Sequence, residues 1–251
     1  MKEAEVKVKS LQKALEVLDC FREKQPLGVT EISEKLGLYK SNVHNILMTF
    51  KAMDYLEQDQ ESGKFFLGTA IFGLSRALGD RYDISNIAIP YMQKICREVK
   101  EVVYLAVPDK DEVIYLDAVY PDSNFVGAPS VRGDRSKMYC TSVGKAILSL
   151  LPDEEREECI KGKLEAFTEY TITEHEQLRR ELQTTRKRGY AFDNMEGTFG
   201  IKCVGVPVLN RRGQVIAGIS ISTPSLRMGE EKVLEFVKVL KENVKEMEKK
   251  L

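Results

Sequence analysis

Residues 29–47 read VTEISEKLGLYKSNVHNIL, and this stretch decides the fold of the amino-terminal part. Thr30 is a candidate N-cap for a short helix that carries Ile32 and Leu36 on one face. Gly37 ends that helix. A second helix is predicted from about Lys40 to Met53, with Val43, Leu47 and Phe50 spaced to pack inward. Lys40, Asn42, His44, Asn45 and Lys51 then point outward. A short helix, a glycine turn and a second helix form the helix-turn-helix arrangement, whose second helix enters the major groove of DNA. The same spacing also suits any three-helix bundle with a polar surface, and it carries no catalytic chemistry.

Upstream, Ser10 is followed by Leu11, Ala14, Leu15, Leu18 and Phe21, an apolar stripe of about three helical turns. Downstream, YLEQD and KFFLG flank the polar turn QESG, so two short strands meeting at Gly63 form a hairpin, or wing. Residues 1–70 hold ten Lys/Arg against eleven Asp/Glu, so this part as a whole is not basic. Its distribution is uneven: Lys35 to Met53 contains three lysines and no carboxylate, Lys64 lies near the wing tip, and Lys2, Lys7, Lys9 and Lys13 lie at the opening. These are candidates to meet phosphates.

Beyond the wing, Thr69–Leu78 and Ile84–Lys100 read as helices, with Ile71, Leu74 and Leu78 on one stripe and Ile87, Tyr91 and Ile95 on another. They form a stiff connector that can couple the two ends of the chain, or equally serve as passive packing helices. From Val102 the pattern changes to β-rich runs: VVYLAV, EVIYLDAVY, CVGVPVL and QVIAGISIST. Helical segments alternate with them: Pro152–Ile160, then Thr173–Arg188 with a Thr173/Glu176 capping box and Gly189 at its end, and a last helix facing inward through Val233, Phe236, Val237, Leu240, Val244 and Met247. Asn210 to Gly213 is a turn, so the last two strands should pair antiparallel. The fold class is α+β: three helices with a wing, a connector, and an α/β domain with a largely antiparallel sheet.

The 251 residues are 43% apolar and 31% charged, which suffices for one large or two medium cores and argues against disorder. No apolar run approaches the roughly 18 residues of a bilayer span, and the opening MKEAEVKVKS lacks an h-region, so a cytoplasmic protein without membrane contact is expected. Five scattered cysteines without C-x-x-C indicate neither a disulfide framework nor a zinc ribbon, and two histidines supply a metal cage poorly. No metal and no cofactor is expected. Cys140 or Cys203 could serve as a nucleophile, but His44 belongs to the helix-turn-helix and His175 to a capping turn, so no base is available and no enzyme is expected.

Alternation sorts the last two strands into two faces. Val204, Val206, Val208, Val215, Ala217, Ile219 and Ile221 share a core face, while Cys203, Gly205, Gly218, Ser220 and Ser222 share a small, hydroxylated one where glycines leave space. The second face suits a small polar molecule, or equally a covering helix. The segment Cys140–Lys145 opens an apolar helix whose first amides favour an anion such as a carboxylate, with Ser142 adding a hydroxyl; a plain N-cap by Thr141 or Ser142 explains the same residues. It lacks the leading glycine of a phosphate-binding loop, so nucleotide hydrolysis is excluded.

Over nearly its whole length the chain resembles the IclR family of bacterial transcriptional regulators. The matching stretches are SLQKALEVLDCF, VTEISEKLGLYKSNVHNIL, the wing end FFLG, TSVGKAIL, RKRGYAFDNMEGTFGIKCVGVPV and GQVIAGISIS. The resemblance implies a winged helix-turn-helix over 1–68, a linker helix over 69–82, and a GAF-like effector-binding and oligomerisation domain over 83–251. By position it assigns the ligand to Ser142, Val143, Asp193, Ile201, Cys203, Ser220 and Ser222. Two departures stand out: Asn45 where many relatives have Arg, and Val204-Gly205 in place of the common Ala-Ala.

The expected partners are double-stranded operator DNA, a small organic acid or related metabolite, and further copies of the chain as a dimer or dimer of dimers. Asn42, His44 and Asn45 are expected to read bases, and Lys40, Ser41, Lys51 and Lys64 to hold phosphates. Repression is the expected action. Activation by the same means, or a thiol or metal sensor built on Cys140 and Cys203, are the alternatives.

Overall fold

A computed structural model describes residues 6–81, 84–121 and 131–251. Lys2 and the expected junction at 82/83 lie outside them. The chain divides into two compact units, Met1–Tyr82 and Asp83–Leu251.

In the first unit, α1 (Lys9–Glu23), α2 (Val29–Leu36) and α3 (Lys40–Ala52) pack around Val17, Phe21, Ile32, Val43 and Leu47, each no more than 1% exposed. The buried side of α1 is rotated from the expected one. Val17 and Cys20 face the core with Phe21, while Leu11 and Leu15 are exposed. Thr30 is not the N-cap of α2. Gly28 takes that place, and the Glu31 side chain accepts from its amide at 2.9 Å. A carboxylate three residues into the helix thus satisfies the amide of the N-cap residue itself, the half of a capping box that needs no hydroxyl at the cap.

Gly37 closes α2, its amide donating to the Ser33 carbonyl. The hairpin pairs β1 (Leu56–Gln58) with β2 (Phe65–Leu67), and Leu27 and Phe65 exchange two 2.9 Å backbone bonds that add the α1–α2 loop to the wing. α4 (Ala70–Arg81) follows. Its stripe is helical as expected but leaves Leu74 and Leu78 exposed within this unit.

The second unit opens with α5 (Ile84–Val99), whose buried residues are Ile84, Ala88, Met92, Ile95, Cys96 and Val99. Ile87 and Tyr91, expected inside with Ile95, are only half-buried. The sheet holds β3 (Val102–Asp109), β4 (Glu112–Val119), β5 (Arg135–Lys137), β6 (Ala191–Asn194), β7 (Ile201–Leu209) and β8 (Val215–Pro224) in the order β5-β4-β3-β8-β7-β6, every pair antiparallel.

Between β5 and β6 lie α6 (Ser142–Leu148), α7 (Asp153–Ile160) and α8 (His175–Arg188); α9 (Glu230–Glu248) ends the chain. The Thr173/Glu176 box does not form, because α8 begins only at His175 and Thr173 stays outside it. α5 and α9 pack on one face of the sheet, where Val103, Leu105, Val204, Val206, Val208, Ala217, Ile219 and Ile221 are all nearly fully buried. α6 packs on the other face, over Ala106, Val113 and Met138.

Val215 crosses from one face to the other. A register shift after Val208 pairs Leu209 with Val215 and leaves Ile216 over, so Val215 packs with the α6 cluster rather than with Ala217.

Candidate functional site

In the first unit, packing of Val43 and Leu47 fixes which side of α3 faces solvent: Lys40, Ser41, Asn42, His44, Asn45 and Lys51 are all exposed. The five outward polar positions at the start of α3 form one continuous face. Lys40 and Lys51 have no carboxylate partner among the described residues, and Lys51 donates to Gln58 Oε1 at 2.9 Å. Lys35 is paired with Glu23 at 2.5 Å, and Lys64 with Glu31 at 2.9 Å. Lys64 therefore stands beside a carboxylate rather than alone at the wing. Tyr39, at 82% exposed just before α3, is a large surface aromatic that sequence periodicity did not single out.

In the second unit, pairing brings Asp193 opposite Cys203, Cys203 opposite Ser222, Gly205 opposite Ser220, and Ser220 opposite Tyr104. The expected ligand residues Asp193, Cys203, Ser220 and Ser222 thus share one face, with Cys203 Sγ donating to Ser222 Oγ at 3.2 Å. The glycines on this face do not leave empty space. A Cβ on Gly205 would stand 2.7 Å from the Ser142 carbonyl, and one on Gly218 would strike the Val143 side chain. They let the first turn of α6 lie directly on the sheet, closer than any side chain at 205 would allow.

Thr141 caps that turn, its Oγ1 accepting from the Gly144 amide at 3.2 Å while its carbonyl takes the Lys145 amide. The Ser142 and Val143 amides meet no acceptor among the described residues. Val143 is 1% exposed, its side chain packed in the core; Ile201 is half-buried two residues along β7 from Cys203. On the far side, Tyr104 and Tyr115 stand edge to face with centroids 5.4 Å apart. Burial pushes the Tyr104 phenol up to about 12, so it remains a donor.

A buried ionic cluster holds this face in shape. Lys145, fully buried on α6, donates to Glu196 Oε1 at 2.5 Å and to the Phe192 carbonyl at 2.6 Å. The Glu196 amide donates to Asp193 Oδ1 at 2.7 Å, and Thr171 Oγ1 donates to the Glu196 carbonyl at 2.6 Å. Lys145 thereby ties α6 to β6 and the turn after it.

Asp193 is 5% exposed, and burial, reinforced by the charge of Glu196, raises its carboxyl to about 7. Burial also raises Glu196, against the pull of Lys145. Sequence reading missed Lys145, Glu196, Tyr104 and Tyr115. A lysine inside the apolar run Val143–Leu148 was the available signal, since such a charge is buried only with a partner.

Burial, with the nearby Asp193 charge, pushes the Cys140 thiol up to about 12, and burial raises Cys203 as well. Neither is poised as a free thiolate in this fold. Among the described residues no group of three or more His, Cys, Asp and Glu is placed to hold a metal ion, and no helix is long and apolar enough to cross a membrane.

Known proteins place this architecture. The family described as "Bacterial transcriptional regulator IclR C-terminal" matches residues 77–249, and the "IclR helix-turn-helix domain" matches residues 10–60. The chain is 34% identical over 235 residues to the HTH-type transcriptional regulator KdgR of Escherichia coli (strain K12), covering 93% of this chain and 89% of that protein. The crystal structure of the Thermotoga maritima IclR superposes with a TM-score of 0.78 at 33% identity, over 97% of this chain and 98% of that one.

An IclR homologue from Microbacterium hydrocarbonoxydans, solved in complex with 4-hydroxybenzoate, shares the fold at a TM-score of 0.83 and 24% identity, over 96% and 98% of the two chains. With both family signatures in order and relatives matched nearly end to end, the chain belongs to the IclR family of DNA-binding transcriptional regulators, which are not enzymes.

Proposed function

We propose that this regulator is a repressor that binds a near-palindromic operator as a homodimer or dimer of dimers and is switched by a small organic acid. The observation that carries the reading is the convergence of Asp193, Cys203, Ser220 and Ser222 on one sheet face beside the first turn of α6, whose Ser142 and Val143 amides meet no acceptor among the described residues. A carboxylate would rest on those amides and the serine hydroxyls, while a hydroxyl elsewhere on the ligand would meet Asp193. The 4-hydroxybenzoate held by a protein of the same fold supports an acid of this size.

On the DNA side, Asn42, His44 and Asn45 read bases and Lys40, Ser41 and Lys51 hold phosphates, with the two recognition helices about one turn of DNA, roughly 34 Å, or a multiple apart. Occlusion of a promoter needs no contact beyond the DNA itself, which makes repression the simpler action.

The effector must distinguish the DNA-competent arrangement from the other, with a coupling of about 1 to 3 kcal/mol. A screen of small acids by thermal shift, followed by fluorescence anisotropy on the protein's own promoter, tests the whole reading. A Ser220→Ala/Ser222→Ala variant is expected to keep promoter binding and lose effector response; full response would remove this face from the site. A promoter-reporter fusion that rises on deletion of the protein supports repression, and one that falls makes the protein an activator.

A further inference from the structure

The Glu31 carboxylate sits at a junction of three segments. It accepts from the Gly28 amide at 2.9 Å at the start of α2, from Lys24 Nζ at 3.2 Å just past the end of α1, and from Lys64 Nζ at 2.9 Å beside wing strand β2. A backbone amide at a helix start and two lysines are the donor set that proteins commonly present to a DNA phosphate. Here an internal carboxylate takes that place, and the three bonds together hold it well below the usual carboxylate range, at about 2, so it stays ionised at any physiological pH.

The geometry points to Glu31 as the residue that sets non-specific DNA affinity: it neutralises Lys24 and Lys64 and pins the wing to α2, so that these two lysines contribute little phosphate binding while it is present. The charge left for phosphates then lies on Lys40 and Lys51 of α3, the helix that reads sequence, and on Lys7, Lys9 and Lys13 at the amino-terminal end. Such an arrangement favours specificity, because attraction to any duplex is lowered while base contacts are untouched. Glu31 acts through the lysines and touches no base, so it is a positioning residue. The inference rests on the first unit being the one that contacts DNA.

The test is anisotropy of the full-length protein on a random-sequence duplex and on its own promoter, between 50 and 200 mM NaCl, for wild type, Lys64→Gln, Glu31→Gln and the double variant. Each lysine released to a phosphate steepens the log–log salt slope by about 0.9, or about threefold in affinity across that range for each reader. Glu31→Gln is expected to tighten binding to random duplex and steepen its slope by up to two such steps, and to narrow the gap between promoter and random DNA.

Lys64→Gln alone should leave the slope unchanged, yet flatten it when added to Glu31→Gln. The inference is overturned if Lys64→Gln alone weakens random-duplex binding and flattens the slope, or if Glu31→Gln leaves the slope as it was. The amide oxygen introduced by Glu31→Gln still accepts from Gly28, which preserves the cap. Should circular dichroism show that variant unfolded, the behaviour of Lys64→Gln alone decides. Absence of any duplex binding by wild type would instead refute the assignment of DNA contact to this unit.

Discussion

Asp193 makes the stability of the second unit depend on pH in a direction opposite to that of most surface carboxylates. Its carboxyl is 5% exposed, faces Cys203 across the sheet, and has Cys140, Tyr115, Glu196 and Lys145 as its titratable neighbours. Its ordinary value of 3.8 rises to about 7 in the fold. Below 3.8 both folded and unfolded chains hold the proton. Between 3.8 and about 7 the folded chain keeps a proton that the unfolded chain has released, so stability falls as pH rises through this window.

At about 1.4 kcal/mol per unit of pKa difference, the loss between pH 4 and pH 7 is about 3 kcal/mol. Asp193→Asn keeps the shape and the acceptor for the Glu196 amide but cannot ionise. Urea unfolding of both full-length proteins, followed by far-UV circular dichroism at several pH values from about 4.5 to 7.5, isolates this one group as the difference between the two curves. The variant should gain on wild type by several kcal/mol as pH rises. Parallel curves would show that Asp193 titrates normally and that the burial argument fails.

Three further outcomes are expected, two from the same region and one from α3. Lys145→Met leaves Glu196 buried without its cation and should cost about 3 to 5 kcal/mol in urea unfolding; adding Glu196→Leu should recover most of it, whereas a single-variant loss under about 1 kcal/mol would count against the pair. Gly205→Ala brings a methyl to 2.7 Å from the Ser142 carbonyl, so α6 must lift; a cost of about 1 to 3 kcal/mol in stability and a weaker effector response are expected, with promoter binding retained, and an unchanged melting temperature would refute the close approach. Lys40→Ala should weaken binding to all duplexes together and flatten the salt slope by about 0.9 per reader; a change in sequence preference alone would show that Lys40 reads bases.

How much of this was legible beforehand depends on the range over which each feature is decided. Helices α2, α3 and α9, and strands β3, β4, β7 and β8, are written in local apolar spacing, and the shared face of Cys203, Ser220 and Ser222 follows from alternation along two strands. Strands β5 and β6 escaped because three or four residues carry no period and, unlike β1 and β2, no pair of runs across a short polar turn marks them; they are strands only through their neighbours β4 and β7. α1 shows a local signal misread, since Leu11 and Val17 both fit a helical stripe and only the packing of α2 and α3 selects Val17 and Phe21.

Val215 changes face because of one unpaired residue, which no pattern of apolar letters encodes. The glycines at 205 and 218 were legible as small, but whether small means a vacant site or a closely seated helix is decided by α6, some sixty residues away in sequence. The same contact explains the buried Lys145: once α6 is seated on Gly205, its lysine has no route to water and must meet Glu196 and the Phe192 carbonyl. Family position and local spacing thus pick out the groups proposed to touch an effector. The charge state of Asp193 among them is set by a helix, a strand and a turn that only the fold brings together.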